Sequence, residues 1–149
     1  MSIKIKSIDV LDESLFDRID FIEKACFDED SAFPTSDIPD LVRESHVRVG
    51  GYKDGVLIGY GLARYACGIG YLYSNAVIAD YRRKGVGSAL LNFRLTELKK
   101  AGCSIVQAHT KLDNVESQAL LRKTGFVPIQ YVTDFYDDNV DAIFWTISI

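Results

Sequence analysis

Two histidines and three cysteines leave this sequence little material for a metal centre or a disulfide scaffold. Cys26, Cys67 and Cys103 are odd in number and far apart, form no C-x-x-C pair and have no histidine at ligand spacing, so neither zinc nor a disulfide framework is indicated. Cationic surplus is also lacking: 17 Lys and Arg face 21 Asp and Glu, a net charge of -4, which argues against broad binding of nucleic acid. No run approaches the roughly 18 apolar residues of a membrane span. The start, where Ile3, Ile5 and Ile8 alternate with Lys4 and Lys6, reads as a strand and not as a signal peptide. A reducing cytoplasm is the expected location. Internal repeats, linkers and low-complexity tracts are missing as well, which points to a single domain over residues 1–149.

What is present suits a packed enzyme-sized fold. Apolar residues make up 48% and charged residues 26% of the chain, near the globular average, so neither a disordered nor a fibrous class fits. A domain of this size buries roughly 68–70% of its unfolded surface. Acidic residues gather early, at Asp28, Glu29, Asp30, Asp37 and Asp40. Such a cluster either attracts a cationic substrate or is simply a solvated loop, and the sequence leaves both open.

Periodicity gives the element order. Residues 2–10 read as a strand, Asp12 as the N-cap of a helix ending near Cys26, and 27–39 as a proline-bearing loop before a short helix at 40–45. Strands follow at 47–52 and 56–65, joined through Lys53-Asp54-Gly55, an Asp-Gly hairpin signal, and at 70–78. A helix at 85–101 carries Val86, Ala89, Leu90, Phe93 and Leu98 on one face and stops at Gly102. A strand at 104–110, a helix at 114–123 stopped by Gly125, and strands at 126–132 and 142–148 complete the chain, the last two flanking an acidic turn at Asp137, Asp138 and Asn139. Hairpins first and a strand-helix-strand crossover later predict an α+β fold: a mixed, mostly antiparallel sheet of six to seven strands with helices on both faces.

Most informative is the run from Val77 to Leu91, where a strand ends, Arg82, Arg83 and Lys84 follow, Gly85 and Gly87 lie two apart, and a helix begins. Glycine permits a tight turn and close approach of a ligand, while the unpaired N–H groups of a first helical turn face outward with the positive end of the macrodipole. This is the chemistry of an anion site. A P-loop would need Lys and Ser or Thr directly after the second glycine, and Ser88-Ala89 stand there instead. A dinucleotide fingerprint would need a third glycine where Leu90 stands.

Arg82-Arg83-Lys84-Gly85-Val86-Gly87 resembles the R/Q-x-x-G-x-G/A signature of the GNAT acyltransferases, and Ala76-Val77 with Tyr81 is similar to that family's preceding strand and turn. Asn114, Leu120, Lys123, Gly125 and Phe126 resemble its second pattern, N-x-x-A-x-x-L-Y-x-K-x-G-F, with Ser117 in place of the alanine. The element order is similar from end to end. The resemblance implies a GNAT-like fold and an N-acetyltransferase using acetyl-CoA as co-substrate and no metal. It implies that Arg82, Arg83, Lys84, Gly85, Val86, Gly87, Ser88 and Asn114 bind the cofactor, and that backbone groups of Val77 and Ala79 pair with its pantetheine arm. The acceptor would be a primary amine of a small molecule or peptide, attacking directly in a ternary complex; a homodimer is compatible with this reading.

Two departures bear on catalysis. Leu121 stands where relatives carry a tyrosine as general acid, and Tyr71 stands where many carry a glutamate, with no Asp or Glu between Gly55 and Asp80. General-acid help typically contributes about 10²- to 10⁴-fold, so activity can survive its loss. The remaining candidates for proton transfer are Tyr71, Ser74 and His109, with Tyr73 as a further member of a water chain and Tyr131 and Tyr136 as side chains that could reach back. The competing expectation is a CoA-binding sensor or interaction module that has lost catalysis.

Overall fold

The computed structural model describes residues 2–29, 31–136 and 139–149. Asp30, Asp137 and Asp138, which belong to the two acidic segments noted in the sequence, lie outside them. The described chain runs β1 (Lys4–Ser7), α1 (Glu13–Cys26), α2 (Ile38–Glu44), β2 (Val47–Lys53), β3 (Val56–Ala66), β4 (Ile69–Val77), α3 (Val86–Lys100), β5 (Ile105–Lys111), α4 (Val115–Thr124), β6 (Val127–Val132) and β7 (Ala142–Ser148). Single 3₁₀ turns sit at Thr35–Asp37 and Ala79–Tyr81. The mixed seven-stranded sheet has the order β1-β2-β3-β4-β5-β7-β6, with β4 and β5 parallel and every other pair antiparallel.

The element order is the expected one, and in two elements the boundaries differ by more than one residue. The first strand is only Lys4–Ser7, because pairing with β2 stops there and the chain turns toward the cap of α1. The second helix starts earlier than Asp40, since Pro39 occupies its first turn, where the missing proline N–H has no intrahelical partner to lose. Asp12 caps α1 by accepting from Leu15 N at 2.9 Å, and Asn114 caps α4 by accepting from Ser117 N at 3.1 Å. Gly125, at φ 113°, stops α4 in the left-handed region that glycine adopts without a Cβ penalty.

Helices cover both faces of the sheet. Phe16, Ile19 and Ile22 of α1 and Ile38 and Val42 of α2 pack on Leu57, Tyr60, Leu62 and Ala76 on one side. On the other, Leu91 and Leu98 of α3 and Leu121 of α4 pack on Leu72, Val106, Ala108 and Trp145, and Val86 and Leu90 pack on Val49, Ile58 and Val77. Trp145 is fully buried, and its indole N–H donates to Thr110 Oγ1 at 3.0 Å, so the ring enters the core without an orphaned donor.

Candidate active site

One extra residue in β4 opens the sheet. In the β3–β4 ladder Leu62 faces Ser74 but Ala63 faces Leu72, so Tyr73 is bulged. A bulge bends its strand and increases the local twist. The parallel ladder to β5 runs from Ile69–Ile105 only as far as Leu72–Ala108. Beyond that point β4 continues through Val77 along β3 while β5 continues through Lys111 along β7, and the strands part.

Backbone groups of β4 line the resulting groove. Ile78 N donates to Ile58 O at 2.9 Å across the Gly59–Val77 pair, the pattern of a non-hydrogen-bonded antiparallel pair. The N–H and C=O of Val77 therefore point away from β3, toward the side that β5 has left. By the same alternation so do those of Asn75. The Val77 carbonyl accepts from Arg82 Nε at 2.8 Å and from Cys26 Sγ at 3.4 Å. Arg82, expected from sequence as a diphosphate cation, thus folds its Nε back to pin the end of β4, which sequence spacing does not reveal. Desolvation raises the Cys26 thiol above its ordinary pKa, so it is not an activated nucleophile.

The loop leading into α3 is exposed at Arg83, Lys84 and Gly85. Gly85 is the N-cap at φ 80°, no side chain caps the helix, and the Gly85 carbonyl accepts from Ala89 N at 3.0 Å. Arg83, at φ 62°, is a second left-handed residue, and together they curl the backbone into a concavity of the kind that holds anions. A Cβ built on Gly85 meets nothing within 4 Å, so the space before the helix is open. Arg83 and Lys84 are exposed beside it. On the far side Leu120 of α4 closes on Gly87, its Cδ2 lying 3.7 Å from an added Cβ. The donors, cations and open space fit a diphosphate. Val77, Ala79, Val86, Gly87 and Ser88 are grouped around this mouth by chain continuity, whereas the Asn114 side-chain oxygen is engaged in capping α4.

The proton-handling candidates separate. His109 lies on β5 just past the last bridge to β4, and its Nδ1 is 2.8 Å from Tyr136 Oη. Phe144 stacks on its ring at 5.5 Å and Phe135 meets it edge-on at 5.4 Å. These apolar neighbours desolvate the imidazole and lower its pKa from the ordinary 6.5, favouring the neutral form. Ser74 instead donates to Tyr60 Oη at 2.8 Å, inside a buried group that includes Glu23 of α1. Tyr73 is tied to α2 through Ser45 Oγ and Leu41 O. Tyr71 is exposed on the paired half of β4, opposite Gln107. Leu121 is buried in the core.

Two loops meet at the same end of β5. Lys111 Nζ donates to Ser31 Oγ of the α1–α2 loop and lies 5.3 Å from the Tyr136 ring centroid on the β6–β7 loop. Neither Tyr136 nor Lys111 is distinguished by a motif, and only the register of β5 against β7, His109 opposite Phe144, brings the cluster together.

Known proteins are similar to this chain in sequence and in fold. A curated N-alpha-acetyltransferase of Sulfurisphaera tokodaii is 28% identical over 102 residues, covering 60% of this chain and 61% of that protein, so the match spans about three fifths of the relative's length. The [Ribosomal protein bS18]-alanine N-acetyltransferase of Escherichia coli is 27% identical over 100 residues, 65% of this chain and 68% of that one. Among solved structures, the Escherichia coli ribosomal-protein-S18-alanine N-acetyltransferase superposes with a TM-score of 0.86 at 21% identity, covering 99% of this chain and 94% of that one. Ard1 from Thermoplasma volcanium gives 0.85 at 21% identity over 100% and 99%. Residues 12–126 match the Acetyltransferase (GNAT) family, and with the fold in agreement, the chain belongs to that family.

Proposed function

We propose that this protein transfers an acetyl group from acetyl-CoA to a primary amine, and that the amine is the α-amino group of a peptide or protein. The carrying observation is the groove itself: a helix start without a side-chain cap and with open space before Gly85 at one end of the parted strands, and His109 on the strand facing it, bonded to Tyr136 of the β6–β7 loop. Relatives named for α-amino and ribosomal-protein alanine acetylation support the acceptor class.

Bound acetyl-CoA supplies a thioester, an acyl donor that needs no metal. The first-turn amides of α3 with Arg83 and Lys84 would hold the diphosphate, and the N–H groups of Asn75 and Val77, directed into the groove, are the donors available to the pantetheine arm and to the developing oxyanion. Such preorganised donors contribute about 2.7–4 kcal/mol. His109 handles the proton: with Nδ1–H donated to Tyr136 Oη, the Nε2 lone pair accepts from the amine directly or through one water. An α-amine costs only about 1–1.4 kcal/mol to deprotonate near pH 7, against about 4–5 for a lysine-like amine. A neutral imidazole matches the first demand and not the second.

Buried Leu121 favours a second reading, a CoA-binding module without turnover. Thermal shift followed by turnover separates the two. Acetyl-CoA at 100 times its dissociation constant stabilises a binding fold by about 2.7 kcal/mol. Release of CoA with peptides bearing a free N-terminus, and not with the same peptides blocked there, supports the transferase. Binding without release from any amine supports the module, and no binding sinks both.

A further inference from the structure

Arg94 of α3 is fully buried, 1% exposed, in a helix whose other inward side chains are Val86, Leu90, Leu91 and Leu98. A guanidinium in such a place normally finds a carboxylate. Every partner recorded for this one is neutral: Nε donates to Leu90 O at 3.2 Å, Nη1 to Leu62 O at 3.1 Å and to Ser74 O at 2.8 Å, and Nη2 to Asn75 Oδ1 at 2.7 Å. Burial pushes its pKa down to about 10, which leaves the group charged at neutral pH.

Those partners are not scattered. Leu62 and Ser74 are the last regular pair of the β3–β4 ladder before the Tyr73 bulge, and Nη1 spans their two carbonyls. Asn75 is the next residue of β4, and its Nδ2 lies 3.8 Å from where a Cβ on Gly87 would be, in the first turn of α3. One side chain therefore connects the bulge, the groove-lining half of β4 and the helix start. The sheet is shaped to admit it: a Cβ on Gly61 would sit 2.8 Å from Arg94 Cζ and Nε.

We propose that Arg94 is a positioning residue for acyl transfer, holding Ser74 to Val77 of β4 in the path that aims their backbone groups into the groove. This rests on the transferase reading for its consequence, but the clamp itself is a property of the free protein. Charge-assisted bonds to neutral acceptors are stronger than neutral ones, and three of the four made by Arg94 converge on one joint. Arg94 touches no reacting atom; it acts through β4.

The experiment uses the full chain with Arg94→Met and, as the milder change, Asn75→Leu, which leaves the backbone clamp in place and removes one partner. Native-state amide hydrogen exchange of the free protein should accelerate at least 10-fold at the paired amides of Ser74, Ala76 and Ile78 in Arg94→Met while the amides of β1, β2 and β7 keep their rates. Calorimetric affinity for acetyl-CoA should fall about 10-fold in Arg94→Met and about 3-fold in Asn75→Leu. The turnover number should fall with KM for the amine unchanged, and Arg94→Lys should restore part of each loss. Uniform acceleration of exchange over the whole sheet would mark Arg94 as merely structural and overturn the proposal. So would unchanged affinity and turnover in a folded Arg94→Met, or, if that variant does not fold, unchanged affinity in Asn75→Leu. Wild-type protein that fails to bind acetyl-CoA would instead overturn the transferase reading, and local exchange at 74–78 would still decide the clamp.

Discussion

Replacing Gly85 separates the cost of a backbone conformation from the cost of a blocked ligand. At φ 80° an L-residue is strained, and a Cβ there meets no protein atom within 4 Å, so Gly85→Ala adds no clash in the free protein. The penalty is the left-handed backbone alone, about 1–2 kcal/mol. At about 2–4 °C per kcal/mol for a chain of this size, Tm should drop by about 2–8 °C. The new methyl projects into the space where a diphosphate would approach the helix amides, and a loss of about 1.4 kcal/mol there is tenfold in affinity. Gly85→Asn distinguishes the two effects, because asparagine enters the left-handed region more readily than alanine. Its Tm should lie closer to wild type while its acetyl-CoA affinity, measured by calorimetry, falls at least as far as that of Gly85→Ala. Affinities equal to wild type in both variants, or affinity losses that simply follow the stability losses, would refute the anion-cradle reasoning.

His109→Ala should lower turnover by about 10²- to 10⁴-fold. Because desolvation lowers the His109 pKa, protonation should disable the base only below 6.5, so kcat/KM against pH should show an inflection there in wild type, apart from that of the amine itself near 7.7–8.0, and lose it in the variant. Glu23 is buried with Oε2 unpartnered, and desolvation raises its pKa above 4.5. A carboxyl raised on folding stabilises most below its unfolded pKa and loses that contribution as pH rises through the folded value, so Glu23→Gln should flatten this decline when urea unfolding is compared between pH 4.5 and 7.5. Gly61→Ala should destabilise by about 1–3 kcal/mol through overpacking against Arg94. In an Arg94→Met background that cost should shrink, and strict additivity in the double-mutant cycle would argue against the contact.

The glycine-bearing bend before α3 is legible in the sequence because its features are local: strand end, cations, glycines and helix start are consecutive from Val77 to Ser88. The sheet was legible for a similar reason, since hairpins and one crossover leave few topologies open. His109 and Tyr136 are 27 residues apart and meet only through the β5–β7 register. The sequence offered each as a candidate but nothing to join them. Arg82 reads as a ligand cation from spacing, yet its Nε is used on Val77 O, a bond that depends on a 3₁₀ turn no pattern announces. For Arg94 a signal did exist: it stands four residues from both Leu90 and Leu98, inside the apolar stripe of a helix where a solvated arginine has no room.

The bulge at Tyr73 explains why these features coincide. Strand side chains alternate with a strict period of two, so one added residue reverses the facing of everything beyond it relative to everything before it. Below the bulge, Leu72 packs under α3 in phase with Val106 of β5. Above it, Ser74 and Ala76 face α1 while Val77 faces α3, and the backbone groups of Asn75 and Val77 turn to the side without a strand. A regular β4 could satisfy the pairing with β5 or the packing of its upper half, but not both in these phases. The extra residue lets the lower half complete the sheet and the upper half present unpaired donors, at the cost of a joint that must be held. Arg94 bonds both carbonyls at that joint, and Gly61 leaves it the room to do so.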